Sequence, residues 1–145
     1  MKFIFDTSAI APNYIQEETS EDVRKLIKRC FINSVEIKCS ELAFYELGNV
    51  LVKVGVENGA EVMKQFREIF FDPVHSSKKL ERMSFQISEE LKLTYYDSVH
   101  VAITKDSRAS LVTNDKRILS KYDNACTPTM ALKNLEIEEL RKKTS

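Results

Sequence analysis

At 145 residues, 43% hydrophobic and 30% charged, with three glycines and three prolines, the chain reads as one globular, helix-leaning domain spanning residues 1–145, not a disordered or collagen-like polymer. Its 22 basic and 22 acidic residues cancel, which removes the overall basic field that draws proteins to nucleic acid; such binding would need a local patch or a metal. The apolar runs KFIF, LAFYEL and VHVAI fall far short of the roughly 18 residues that cross a bilayer, and MKFIFD reaches an acid too early for a signal peptide, so a cytoplasmic protein without a membrane partner is expected.

Lys2 to Phe5 is a short apolar run that stops at Asp6, and Thr7 and Ser8 then supply side chains suited to capping a following helix. Thr19 to Phe31 opens on Thr, Ser, Glu and Asp and repeats Val23, Leu26, Ile27 and Cys30 at helical spacing. Val35 to Cys39 alternates as a strand does, and Ser40 caps a helical run from Glu41 to Val54. Asn58-Gly59 breaks the chain before an amphipathic stretch, Glu61 to Phe71, that Asp72-Pro73 stops; Val74 opens either a short strand or a loop. Ser77 to Leu93 carries Leu80, Met83, Ile87 and Leu91 on one face, and Thr94 to Thr104 follows as a more evenly apolar helix. Ser110 to Thr113 reads as strand, Asp115 to Tyr122 as helix and Ala125 to Thr127 as a last strand, before Pro128 begins a helix that can run on past Leu135. Phe66, Phe70 and Phe71 hint at an apolar surface for a partner to cover.

Strands alternating with helices, with hardly a tight hairpin between them, predict an α/β fold: a three-layer α/β/α sandwich around a central parallel sheet. In such sheets the ligand site forms beyond the carboxyl ends of the strands. Cys30, Cys39 and Cys126 lack metal-ligand or disulfide spacing and are expected to be reduced, packed thiols. His75 and His100 stand apart, so zinc has little support, and His100 is expected simply to pack on its helix.

Acids collect where the open-sheet rule places the site. Asp6 follows the first strand, with Ser8 two residues on; capping alone explains its position locally. Glu46 has Leu42, Ala43 and Val50 as helical neighbours, which places a carboxylate in the apolar stripe; out of water it either takes up a proton or needs a cation, no Lys or Arg lies within a turn, and a metal would supply the missing charge. Asn49, one turn on, could hold that carboxylate or a metal-bound water. Asp97 sits three residues after Thr94, as in a capping box, and Asp115 closes Leu111 to Asp115, where Thr113 or Asn114 could orient it. An all-oxygen cluster points to Mg²⁺ or Mn²⁺, ions suited to phosphate esters.

Taken in order, Phe5-Asp6-Thr7-Ser8-Ala9, Glu46 and Asn49 within Tyr45 to Leu51, Tyr96-Asp97-Ser98 leading to Ala102, and Thr113-Asn114-Asp115 resemble the PIN-domain family, nearly end to end. Length and order resemble its VapC-type toxins of prokaryotic toxin–antitoxin pairs. The resemblance implies a sheet of about five parallel strands, a divalent-metal endoribonuclease, a homodimer, and an antitoxin whose peptide occupies the groove beside the acids. By the same resemblance Asp6, Glu46, Asp97 and Asp115 would bind Mg²⁺ or Mn²⁺, directly or through water, with Ser8 and Thr113 as supporting hydroxyls. Lys105, Arg108, Lys116, Arg117 and Lys121 lie near Asp115 in sequence and are candidates for contact with the RNA backbone.

Other readings differ at nameable residues. A haloacid-dehalogenase-type phosphatase would need a second Asp where Ser8 stands, and a phosphorelay receiver an acid pair where only Asp6 is found. A PIN nuclease of RNA processing without an antitoxin, or a non-catalytic PIN-fold binding module, shares every motif above.

Overall fold

Alternation along the first strand decides the architecture. Phe3 and Phe5 point to one side and Ile4 to the other, all three almost free of solvent, so the sheet must be covered on both faces. The computed structural model describes residues 1–145 and meets that demand as a three-layer α/β/α fold. Its parallel strands β1 (Lys2–Phe5), β2 (Glu36–Lys38), β3 (Ser110–Val112) and β4 (Ala125–Cys126) lie in the order β2-β1-β3-β4. On one face, Phe3, Phe5 and Val112 pack with α1 (Thr7–Ile10), α2 (Ser20–Ile32), α3 (Leu42–Val54), α4 (Gly59–Ile69) and α8 (Pro128–Thr144). On the other, Ile4 and Leu111 pack with α5 (Lys78–Leu91), α6 (Tyr95–Ser107) and α7 (Lys116–Lys121). No helix is long and apolar enough to cross a membrane.

The sheet has four strands, not the expected five or so. The missing one is reduced to a single parallel bridge between Ser40 and Val74: the Val74 amide donates to Cys39 O at 2.8 Å, and its carbonyl accepts from the Glu41 amide at 3.0 Å. Pro73, immediately before, has no N–H with which to lengthen the ladder. β2 is therefore close to a free edge, and it carries charge there: Lys38 reaches Asp72 at 3.1 Å, and Lys2 reaches Glu36 at 3.5 Å.

The phenylalanines of α4 correct the expected apolar surface. Phe66 and Phe70 are buried; Phe66 lies with ring centroids 4.3 Å from Phe44 and 5.3 Å from Phe70, which in turn meets Phe5 at 5.6 Å. Only Phe71, past the helix end, is exposed. The three thiols are free, and burial pushes those of Cys30 and Cys39 up to about 12, which makes them inert packing groups.

Helix ends orient the site. Thr94 caps α6 by accepting from Asp97 N, and the helix closes at Arg108 in a left-handed conformation, φ 54°. Asp97 and Arg108 are thus at opposite ends of α6, about 16 Å apart along the axis.

The aromatic packing yields a direct comparison. Phe66→Ala is expected to lower the unfolding free energy by about 3–5 kcal/mol, and Phe71→Ala to change it by no more than about 0.5 kcal/mol. Urea denaturation of both variants checks this; equal losses would contradict the burial of Phe66.

Candidate functional site

Parallel pairing of β1 with β3 aligns Phe5 with Val112, so the residues just past each strand, Asp6 and Thr113, meet at the carboxyl edge. This is also where the strand order reverses, with β2 on one side of β1 and β3 on the other. Asp6 is nearly solvent-free, 4% exposed. Its Oδ1 accepts from Ser8 Oγ at 2.7 Å and from the Ala9 amide at 3.1 Å, and its Oδ2 from Thr113 Oγ1 at 2.5 Å. The Ala9 bond is the helix cap expected locally; the Thr113 bond, from a residue far along the chain, exceeds what capping requires. Burial raises the Asp6 carboxyl above its ordinary range, although nearby His100 and these hydrogen bonds oppose the rise.

Asp115 likewise caps α7, its Oδ1 accepting from the Arg117 and Ile118 amides at 2.8 and 3.2 Å. Thr113 Oγ1 accepts from the Asp115 amide at 2.9 Å, which ties the two acid loops together. Asn114 does not orient Asp115. Its amide N–H donates to Ser8 Oγ at 2.8 Å, and its Nδ2 donates to Ser8 O and Thr19 Oγ1, both at 3.0 Å, lacing the β3 end to α1 and the start of α2.

Asp97 forms only half of a capping box: Thr94 Oγ1 accepts its amide at 3.1 Å, and its carboxylate takes no backbone donor. Burial raises its pKa and the neighbouring charge of Asp115 raises it further, with a lesser push from Glu46, against the opposing effects of Thr94 and His100.

Glu46 departs from its expected surroundings. Its side chain is one-third exposed, at 33%, and its Oε1 accepts from Thr7 Oγ1 at 2.7 Å and meets His100 Nε2 at 3.0 Å. The missing charge assigned from sequence to a metal is thus met in part by the chain itself, through the His100 ring. Burial raises the Glu46 pKa, but His100 and Thr7 outweigh it and the net shift is downward. His100 is 2% exposed. Burial alone would lower its pKa; the bond to Glu46 and the charges of Asp6, Glu46 and Asp97 reverse that and raise it. Sequence reasoning placed His100 in simple packing. The available signal was its position three residues after Asp97 on α6, which puts both on one helix face.

Asn49 is exposed and makes no hydrogen bond to Glu46. The basic residues divide. Lys116 and Arg117 are exposed at the start of α7, beside Asp115. Lys105 and Arg108 belong to the far end of α6, where Lys105 Nζ lies 5.7 Å from the Tyr122 ring; Lys121 is held by Lys92 O at 3.0 Å. Proximity in sequence did not survive folding, because α6 runs away from the acids and β3 runs back toward them.

The donor set fits a hard divalent cation: four carboxylates, no thiolate, and an imidazole turned toward Glu46. No three of the His, Cys, Asp and Glu side chains converge closely enough to hold an ion between them, so an ion bound here would have to keep several waters in its shell, as Mg²⁺ does. The upward shifts, from burial at Asp6 and from burial together with the Asp115 and Glu46 charges at Asp97, express desolvated negative charge that a cation would relieve.

The model of the PIN domain family matches residues 3–125. Ribonuclease VapC3 of Pyrobaculum aerophilum is 27% identical over 135 residues, covering 88% of this chain and all of that protein. Among solved structures, PAE2754 of the same organism has a TM-score of 0.71 at 22% identity, over 94% of this chain and 90% of the other. A toxin–antitoxin complex from Klebsiella pneumoniae gives 0.67 at 15% identity, over 86% and 96%. VapC20 of Mycobacterium tuberculosis, described as a toxin that cleaves the sarcin–ricin loop, gives 0.65 at 14% identity, over 81% and 93%.

The crowding at Asp97 has a measurable sign. Its folded-state pKa is raised, so in EDTA its contribution to stability is fullest at low pH and is lost as pH rises from the ordinary value of 3.8 through the raised folded value. Asp97→Asn should be at least as stable as the parent at neutral pH and should lose less stability over that interval, as read from melting temperature against pH. A variant markedly less stable than the parent at neutral pH would show that the charge is well accommodated.

Proposed function

The chain belongs to the PIN-domain family, and from that premise we propose that it is a divalent-metal-dependent endoribonuclease and the toxin of a toxin–antitoxin pair. The observation that carries this reading is the collection of Asp6, Glu46, Asp97 and Asp115, from separate elements, at the carboxyl edge of the sheet, with Asp6 and Asp97 both pushed toward protonation. Support comes from relatives over nearly the whole chain, one of them a named ribonuclease and others toxins or toxin–antitoxin complexes.

In this reading Asp6, Glu46, Asp97 and Asp115 would hold Mg²⁺ or Mn²⁺, directly or through water. An ion held there would supply Lewis-acid charge to a phosphodiester and acidify an attacking water. The chain's own part is positional. Ser8 and Thr113 fix both oxygens of Asp6; Asn114 holds the Ser8 loop against α2; Lys116 and Arg117 offer exposed cations to the RNA backbone beside the acids. Hydrolysis leaves a 5′ phosphate on the downstream fragment.

The protein partners we assign are an antitoxin peptide in the groove beside the acids and a second copy of the chain. For the second copy the supporting feature is an aromatic face: Tyr45, Phe85 and Tyr96 are exposed, and Tyr45, Tyr95 and Tyr96 line a mainly apolar groove of about 210 Å³ between α3, α5 and α6. Tyr45 precedes Glu46 and Tyr96 precedes Asp97, so pairing on this face would bring two sites near each other.

Purified protein is expected to cut an end-labelled mixed RNA pool with Mg²⁺ or Mn²⁺ and not with EDTA. Asp6→Asn, folded by circular dichroism, should lose more than the roughly 10–100-fold that follows loss of an outer-shell partner. Absence of cutting in any metal by folded, partner-free protein would move the assignment to a binding module.

A further inference from the structure

Glu46 is held by one oxygen only. Thr7 Oγ1 at 2.7 Å and His100 Nε2 at 3.0 Å both converge on Oε1, and Oε2 has no hydrogen-bond partner in the protein. An ionised carboxylate only accepts, so Nε2 carries the hydrogen of this contact; Nδ1 is then a bare acceptor in the neutral ring and an N–H donor in the protonated one. That Nδ1 is buried with no partner, in a residue 2% exposed. A buried polar atom left unsatisfied is a net cost to folding. A packing role alone would be better served by an apolar side chain of similar size.

We propose that Thr7 and His100 form a two-donor clamp on Glu46 Oε1 that turns Oε2 toward the cation, making both of them positioning residues of the metal centre. The two donors come from different elements, Thr7 from α1 directly after Asp6 and His100 from α6 one turn after Asp97. The clamp therefore locks the long, flexible Glu46 side chain to the elements that carry two other acids. Glu46 on its own, with one-third of its side chain open to solvent, would sample several rotamers. The inference rests on Glu46 being a cation ligand, as proposed above.

The test is direct Mn²⁺ binding by calorimetry, without RNA, to the full chain and four variants: Glu46→Gln, Thr7→Val, His100→Leu and His100→Gln. Thr7→Val and His100→Leu should each weaken Mn²⁺ binding about 10–100-fold. His100→Gln, which retains an N–H donor of similar reach, should recover most of that loss. Unchanged affinity in His100→Leu, or an equal loss in His100→Gln and His100→Leu, would overturn the clamp. If the His100 variants do not fold, Thr7→Val decides alone, and unchanged affinity there overturns it. Mn²⁺ binding that Glu46→Gln leaves intact would overturn the prior assignment of Glu46 as a ligand, a result distinct from failure of the clamp.

Discussion

The hydrogen bond from Thr113 to Asp6 rests on a register, and the rest of the site rests on that bond. Because Phe5 pairs with Val112, the first residue past each strand falls at the same level of the sheet, and a hydroxyl and a carboxylate from distant parts of the chain come within 2.5 Å. A slip of one residue would send Ile4 and Leu111 to the opposite layers and part this pair at once. The two-sided core guards against such a slip: the rings of Phe3 and Phe5 are committed to one layer and Ile4 to the other. Precision in the polar site is thus inherited from apolar packing a few residues away.

The acids serve two purposes without conflict. Asp6 and Asp115 are ordinary helix caps and would be justified in any α/β protein on that ground. Each cap occupies one carboxylate oxygen and leaves capacity on the other. At Asp6 the second oxygen is turned over to Thr113; at Asp115 it takes no protein donor. Asp97 gives its backbone to the cap and keeps its carboxylate out of it. Folding requirements and site requirements are met by different atoms of the same residues.

Much of this was legible in the sequence, and the gaps have physical causes. The strand-to-helix junctions showed themselves because an apolar run ending on Asp, Ser or Thr is both a strand end and a helix start, and there the three-layer sheet and its acids could be read directly. The Glu46–His100 contact could not, since it joins α3 to α6 across tertiary space, and a lone histidine on an apolar helix looks like packing. Glu46 announced a missing cation, which pointed to a metal, whereas the fold also brings His100 to it. Phe66 and Phe70 were misjudged because the stripe of α4 could face either way until α3 supplied Phe44 as a partner. Lys105 and Arg108 looked near Asp115 because linear distance ignores that a helix and the strand after it run in opposite directions. The fifth strand shrank to a bridge at Pro73-Val74, where a missing donor shortens a ladder that hydrophobicity alone would allow.

The charged border of the sheet has a consequence for the protein in concentrated solution. An unpaired parallel edge is a template on which another chain can add a strand, the first step toward aggregation. Here β2 is three residues long, and two of them, Glu36 and Lys38, are engaged with Lys2 and Asp72. Phe31 and Phe71 stand exposed nearby and would otherwise make that edge adhesive. Short length and alternating charge act together as gatekeepers, so a chain without net charge, and hence without long-range self-repulsion, can stay dispersed by local means.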